Sequence, residues 1–75
     1  MKEYILISQL SGQPGKPVET TFNQFTEAQE EAQVQARQQT HEPLLIYDQS
    51  DNRILWETKY SPYSAFFART YQLKR

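Results

Sequence analysis

Aromatic and basic side chains that could stack on a ligand and neutralise its charge are concentrated in the last part of the chain, residues 59–75. Aromatic rings stack on nucleobases and cations neutralise phosphates, so this composition is typical of surfaces that bind single-stranded nucleic acid. In so short a chain, however, aromatic residues more often complete the core, and basic residues at the end of a helix compensate its dipole. We favour the core interpretation. The residues concerned are Lys59, Tyr60, Tyr63, Phe66, Phe67, Arg69, Tyr71, Lys74 and Arg75.

Residues able to hold a metal ion or transfer a proton are few. The one histidine, His41, has Glu42 beside it, but the chain has no second histidine and no cysteine, whereas a zinc site takes three or four ligands. Asp48 and Asp51 lie in or beside a turn, where carboxylates form turns more often than they work as paired catalytic acids. No serine has a base placed by a recognisable motif. We therefore expect no enzyme, no cofactor and no metal.

Length and charge limit the class of protein further. A chain of 75 residues buries only about 60% of the surface that it exposes when unfolded, so the core is thin. A net charge of -1 gives neither the positive field of a nucleic-acid binder nor the negative field of a nucleic-acid mimic. Without cysteine, a signal peptide or a long apolar run, the sequence predicts a soluble cytoplasmic protein that does not enter membranes.

The first half of the chain reads as two strands and a helix. Residues 3–10 are rich in strand formers, the loop 11–17 is rich in glycine and proline, and residues 18–22 resume as a second, antiparallel strand. Thr26 with Gln29 matches a capping box, so we expect a helix from Thr26 to about Gln39. Its apolar stripe is mostly alanine and predicts close approach to a sheet: Phe25, Ala28, Ala32 and Ala36.

Residues 43–58 are the segment around which the rest of the chain is organised, and they predict a β-hairpin with its turn at residues 49–52. A four-residue loop would place Asp48 opposite Arg53, Tyr47 opposite Ile54, Ile46 opposite Leu55 and Leu45 opposite Trp56. Strand alternation then gives two unlike faces. An aliphatic face suits the alanine stripe, with Leu44, Ile46 and Leu55, and a larger aromatic face lies opposite, with Leu45, Tyr47, Ile54 and Trp56.

The C-terminal segment is the candidate to cover the aromatic face. Ser61 and Pro62 suit an N-cap and a first helical position, and aromatic residues follow at helical spacing. We favour a helix; a fifth strand is the alternative, because residues 67–74 also alternate. The prediction is one α+β domain over residues 1–75, with about four antiparallel strands in the order β-β-α-β-β, one helix on one face and the C-terminal aromatic segment as part of the same domain.

Apolar surface in excess of what an alanine-lined helix covers predicts an interaction protein. We expect a non-enzymatic module or regulator that binds a protein partner, or a second copy of itself as a homodimer, through the aromatic face or the C-terminal segment. The alternative is a nucleic-acid-binding protein that uses the C-terminal segment. The candidate partner-binding residues are Tyr47, Trp56, Tyr63, Phe66, Phe67, Arg69, Tyr71, Lys74 and Arg75.

The order of elements over residues 3–58 resembles the layout of many small bacterial and phage proteins. Among them are phage-encoded anti-CRISPR inhibitors, which act by occupying the surface of another protein. The resemblance is in layout, and it implies a bacterial or phage-encoded inhibitor without assigning a role to any residue.

Overall fold

Four strands form one antiparallel sheet in the computed structural model, which describes residues 2–59 and 61–75. The strand order is β2-β1-β3-β4, and the predicted α+β class is confirmed. Tyr60, one of the aromatic residues considered above, lies outside the described residues. The elements are β1 (Tyr4–Leu10), β2 (Pro17–Phe22), α1 (Phe25–Gln38), β3 (His41–Asp48), β4 (Arg53–Glu57) and α2 (Pro62–Thr70).

Helix α1 begins earlier than its sequence predicts. The capping-box prediction is wrong, since the N-cap is Gln24 and no side-chain cap is found in the described part of the chain. Phe25 joins the first turn because its ring packs on Tyr4, with the ring centroids 6.2 Å apart, so tertiary packing sets the start. At the other end, Gln39 adopts a left-handed backbone (φ 60°) and its N–H donates to the carbonyl of Gln35, which closes the helix.

The hairpin forms as predicted near its turn and differs beyond it. Asp48 pairs with Arg53 and Tyr47 with Ile54, but Leu55 is the extra residue of a β-bulge, so Ile46 pairs with Trp56. The predicted pairs Ile46–Leu55 and Leu45–Trp56 are therefore wrong. A second bulge in β3, at Leu44, shifts its pairing with β1. These two bulges decide which side chains face which helix.

Helix α2 confirms the preferred prediction for the C-terminal segment over the fifth strand. Ser61 is the N-cap, and its hydroxyl accepts a hydrogen bond from the N–H of Tyr63 at 3.2 Å. After the helix, the backbone of Lys74 runs beside β4, accepting from the N–H of Ile54 at 2.7 Å and donating to the carbonyl of Asn52 at 2.8 Å. The last residues thus cover part of the outer edge of β4.

Each face of the sheet carries one helix and one apolar cluster. The α1 face contains Leu6, Ala28, Ala32 and Ile46, bordered by Tyr4, Phe22, Phe25 and Trp56. The α2 face contains Ile5, Ile7, Leu44, Leu45, Tyr47, Phe67 and Ala68, bordered by Ile54, Tyr63, Tyr71 and Leu73.

The predicted composition of the two faces is therefore corrected at three positions. Leu44 belongs to the α2 face rather than the helix α1 side, and Trp56 belongs to the α1 face. Leu55 lies in neither cluster and is 40% exposed. Since α2 covers Tyr47 and its neighbours, the chain itself supplies the cover for the face that seemed to need a partner.

Candidate functional groove

A shallow apolar groove of about 140 Å³ opens between α1 and the β3–β4 side of the sheet. Ile46 is fully buried beneath it, and Trp56 is only half-buried at its side. The groove is lined by Gln29, Ala32, Gln33, Ala36, Pro43, Ile46 and Trp56.

The groove exists because of alanine and because of the bulge. Ala32 and Ala36 end at the β-carbon, so this part of α1 fills little of the space above the sheet. The bulge at Leu55 moves Trp56 onto the α1 face, opposite Ile46, where its ring borders the space that the alanines leave. A regular hairpin would have placed Leu55 there, with Trp56 on the other face.

The described lining residues carry no charge. Gln29 and Gln33 supply the polar groups, and each amide offers two N–H donors and one carbonyl acceptor. The groove can therefore hold an apolar group and form hydrogen bonds to a neighbouring peptide, but nothing in its lining provides a nucleophile or a general base.

The predicted partner-binding residues do not form one surface. Trp56 lies on the α1 face, and the aromatic residues of the C-terminal segment lie with Tyr47 on the α2 face. Tyr47 and Phe67 are buried in the core, whereas Tyr63 and Tyr71 are half-buried at its border. Phe66 is different, because 49% of it is exposed, although its ring meets that of Phe67 edge-to-face with the centroids 5.2 Å apart.

The three basic residues predicted to bind a partner, Arg69, Lys74 and Arg75, have different environments. Arg75 donates two hydrogen bonds to the carboxylate of Glu57, at 2.8 and 3.0 Å, and this carboxylate raises the pKa of the guanidinium further. Lys74 is exposed and uses its backbone to pair with β4. Arg69 is exposed on the last turn of α2, where a cation offsets the helix dipole.

A phenol–carboxylate contact joins the end of α2 to β2. The hydroxyl of Tyr71 donates to Oε2 of Glu19 at 2.9 Å. Burial, together with this hydrogen bond and the charge of Glu19, raises the pKa of Tyr71 to about 12. Burial and the same carboxylate also raise the pKa of Tyr47. The contact acts as a structural clamp between α2 and β2.

A second clamp, on the α1 face, is a hydrogen bond between two uncharged side chains. The hydroxyl of Ser8 in β1 donates to Oε1 of Gln35 in α1 at 2.6 Å, and the Gln35 amide donates to Glu31 at 3.1 Å. Ser8 is fully buried and Gln35 is 5% exposed, so the bond lies inside the molecule. It fixes α1 on the sheet where alanine supplies little apolar contact.

A second depression, of about 260 Å³, lies under the β1–β2 loop and is lined by Gln9, Leu10, Ser11, Gly12, Pro14, Glu42 and Tyr63. Its central polar group is already occupied within the chain. The buried amide of Gln9 donates to Glu42 at 2.5 Å and accepts from the N–H of Gly15 at 3.0 Å. Gly15 takes a positive φ of 90°, which a side chain would disfavour, so this region is built to hold the loop.

The candidate residues for catalysis and metal binding are spread over the molecule. His41 is half-buried at the start of β3, where Nδ1 lies 3.1 Å from the hydroxyl of Thr40. Asp48 accepts hydrogen bonds from the hydroxyl and the N–H of Ser50, which with Lys2 hold the pKa of its carboxyl below the ordinary value. Within residues 2–59 and 61–75, no three His, Asp or Glu side chains are grouped closely enough to hold a metal ion.

Sequence reasoning found Trp56 and the alanine stripe but did not bring them together. The spacing of the alanines predicted a close approach of the helix to the sheet. The small side chains of Ala32 and Ala36 could also have indicated a groove, had Trp56 been placed on the same face. The bulge that moves Trp56 leaves no strong local signal, because Leu55 is an ordinary strand residue.

Neither helix in the described residues is long and apolar enough to cross a membrane. No protein family matches the chain, and neither a curated protein nor a solved structure was found to be similar to it.

Proposed function

We propose that this chain is a protein-interaction module that binds an apolar side chain of a partner protein in the groove beside Trp56. The observation that carries the proposal is a half-buried tryptophan beside a groove floored by Ile46 and walled by Ala32 and Ala36. Tryptophan is enriched among the residues that dominate binding energy at protein interfaces, and such residues commonly border pockets.

The size of the groove suits one side chain. A cavity of about 150 Å³ lined by apolar residues accepts a benzene-sized molecule in other proteins. The groove here measures about 140 Å³, so a phenylalanine or leucine side chain is the occupant that we expect. Burying such a side chain yields about 1.5–3 kcal/mol, which is enough for an anchor but not for a whole interface.

Uncharged amides around the groove support a peptide occupant. Gln29 and Gln33 lie one turn apart on α1, so both amides can reach the backbone of a segment laid along the helix. Charged partners gain nothing from this lining, which favours an apolar contact with a hydrogen-bonded rim. A module of this kind acts by occupying the surface of its partner, as a regulator or inhibitor does.

A pair of matched variants tests the proposal. Ala36→Arg introduces a long charged side chain at the exposed wall of the groove, and Gln38→Arg introduces the same side chain at an exposed position of α1 outside it. The immobilised chain is exposed to an extract of its own cells, and the retained proteins are identified by mass spectrometry. We expect a protein retained by the parent chain and by Gln38→Arg and lost with Ala36→Arg. Equal retention by both variants would contradict the proposal.

Trp56 gives a direct readout with the purified partner. It is the only tryptophan of the chain, so its emission reports on the groove without labelling when the added protein or peptide lacks tryptophan. Filling the groove removes water from the half-buried ring, and we expect the emission maximum to move to shorter wavelength. An unchanged spectrum on saturation with the partner would place the contact elsewhere.

The nucleic-acid alternative gains no specific support from the C-terminal segment. Stacking requires accessible ring faces, but Phe67 is 3% exposed and Tyr71 is half-buried with its hydroxyl on Glu19. Arg75 is paired with Glu57, so its charge is already partly compensated. The alternative stays a prediction that salt-dependent oligonucleotide binding can check.

A further inference from the structure

The two edges of the sheet differ in how far they are open to a further strand. The outer edge of β4 is partly covered by the backbone of Lys74, and the bulge at Leu55 interrupts its regularity. In contrast, β2 pairs with β1 in an unbroken register from Pro17 to Phe22, and no strand among the described residues pairs with its outer side. Bulges and coverage are common ways to keep a sheet edge from pairing, and neither is found along β2 in the part of the chain that the structure describes.

We propose that two copies of this chain pair through β2, antiparallel and centred on Thr20, to form a continuous eight-stranded sheet. The partner is a second copy rather than another protein, because the sequence of β2 is complementary to itself in this arrangement. The proposal does not depend on the groove beside Trp56, which lies over β3 and β4, toward the other edge of the sheet.

The register follows from the alternation of side chains. Directly opposite residues of antiparallel strands share a face, so a two-fold axis between two β2 strands passes through a residue and not between two. An axis at Thr20 places Val18 opposite the second copy's Phe22, and Glu19 opposite its Thr21. Val–Phe and Thr–Thr are favourable cross-strand pairs. An axis at Glu19 would instead place two carboxylates opposite each other, which is unfavourable.

The same register continues the side-chain row of the α1 face. Thr20 lies opposite Leu6, Leu6 opposite Ile46, and Ile46 opposite Trp56, in one line across the sheet. Helix α1 packs chiefly on β3, which leaves Val18, Thr20 and Phe22 only half-buried. Pairing would bury part of this remaining surface. With a net charge of -1, two copies repel each other weakly.

Cysteine cross-linking tests the register, since the chain has no cysteine of its own. At the two-fold axis, the Cα atoms of two Thr20 residues would be about 4.5–5.5 Å apart, within the range that a disulfide spans. The two Thr21 residues would be offset along the strands, roughly 8 Å apart, beyond that range. We expect Thr20→Cys to form a cross-linked dimer under mild oxidation and Thr21→Cys to remain largely uncross-linked. Equal cross-linking of both variants, or of neither, overturns the proposal.

Charge substitution tests the dimer without a covalent bond. Sedimentation equilibrium of the parent chain should show a reversible monomer–dimer equilibrium. Thr20→Lys and Thr20→Glu each place like charges opposite each other, so each should weaken the dimer about fivefold or more, and mixing the two should restore it. Thr21→Lys is the control, because its ammonium would lie opposite Glu19 of the second copy and keep or tighten the dimer.

Circular dichroism establishes that each variant is folded before its mass is measured. A parent chain that stays monomeric at millimolar concentration overturns the proposal, as does a Thr20→Lys variant that dimerises as tightly as the parent. Restoration by the mixed variants supports it even if either variant is less stable on its own, since only a contact at position 20 explains the rescue.

Discussion

The two helices cover the two faces of the sheet with side chains of very different size. Helix α2 and its C-cap, Tyr71, fill one face with aromatic rings, and the centroids of Phe67 and Tyr71 lie 6.3 Å apart. Helix α1 meets its face with Ala28 and Ala32, which bring the helix close but leave a groove beside Trp56. The α2 face, here called the filled face, buries more apolar residues than the α1 face, here called the open face, which retains the groove.

The two helices are also fixed by different polar contacts. On the open face, the neutral pair Ser8–Gln35 ties α1 to β1 inside the core. On the filled face, the titratable pair Tyr71–Glu19 ties the end of α2 to β2 at the surface. The Ser8–Gln35 bond is buried and the Tyr71–Glu19 bond is at the surface, so we expect the former to contribute more to stability.

Removing the central ring of the filled face should have the largest effect on stability. Phe67 is 3% exposed and belongs to the α2-face cluster, so Phe67→Ala should lower the free energy of unfolding by about 3–5 kcal/mol. Urea denaturation monitored by circular dichroism measures the change. Phe66→Ala is the matched control on the adjacent residue, which is 49% exposed, and should cost under about 1 kcal/mol. Similar losses of stability in both variants would contradict the packing of Phe67, rather than Phe66, against the sheet.

Enlarging alanines on the open face should separate its tight part from its groove. Ala28 is fully buried against the sheet, so Ala28→Leu should overpack it and cost about 1–3 kcal/mol. Ala36 borders the groove and is exposed, so Ala36→Leu should leave the free energy of unfolding nearly unchanged while it occupies the space beside Trp56. The two curves in urea decide between these outcomes. A large loss at Ala36 would mean that the groove is not open space.

Breaking the neutral clamp should cost somewhat less. Ser8→Ala leaves the buried carbonyl oxygen of Gln35 without its donor, which should lower the free energy of unfolding by about 1–2 kcal/mol. Replacing both partners, as in Ser8→Ala with Gln35→Leu, should cost less than the sum of the single changes, because neither member of the buried Ser8–Gln35 pair is then left without its partner. Additive losses in this double-mutant cycle would show that the two side chains do not depend on each other.

Much of this comparison could be anticipated from the chain itself. Runs of strand-forming residues bounded by turn residues predicted the strands, and Ser61 followed by Pro62 predicted the start of α2, because both features act locally. The position of Trp56 could not be predicted, since one bulge residue, Leu55, reverses the alternation and only the tertiary structure selects it. The predicted start of α1 was wrong for a related reason. The contact between Phe25 and Tyr4 outweighs the capping pattern at Thr26.

The groove could not be predicted because it arises where small side chains leave space unfilled. The sequence shows that Ala32 and Ala36 are small and that Trp56 is large, but not that they face one another. The C-terminal aromatic residues were anticipated as a core layer, and Phe67 and Tyr71 lie in or beside the α2-face cluster. Partner binding by the exposed residues Phe66, Arg69 and Lys74 stays a prediction.

The smallest expected effect concerns alkaline pH, to which the tyrosines of the filled face, Tyr71 above all, should respond. The pKa of Tyr71 is raised to about 12 in the folded chain, against an ordinary value of 10.0. Between these values the unfolded chain releases the Tyr71 proton while the folded chain retains it, so the contribution of Tyr71 to stability should be constant well below pH 10 and fall as the pH rises toward 12. Tyr47, whose pKa is raised as well, adds to the same slope.

Urea midpoints measured from pH 8 to pH 12 on the parent chain and three variants test this expectation. Tyr71→Phe removes the titrating hydroxyl, so it should be slightly less stable at pH 8 and should lose less stability above pH 10. Glu19→Gln keeps an acceptor for the phenol but removes the negative charge that disfavours its ionisation, so its slope should fall between those of the parent and Tyr71→Phe. The Ser8→Ala variant, altered on the open face where the clamp does not titrate, should keep the full slope of the parent. Parallel curves for all four proteins would mean that the alkaline response arises outside the Tyr71–Glu19 contact, and the contrast between the two clamps would then be wrong.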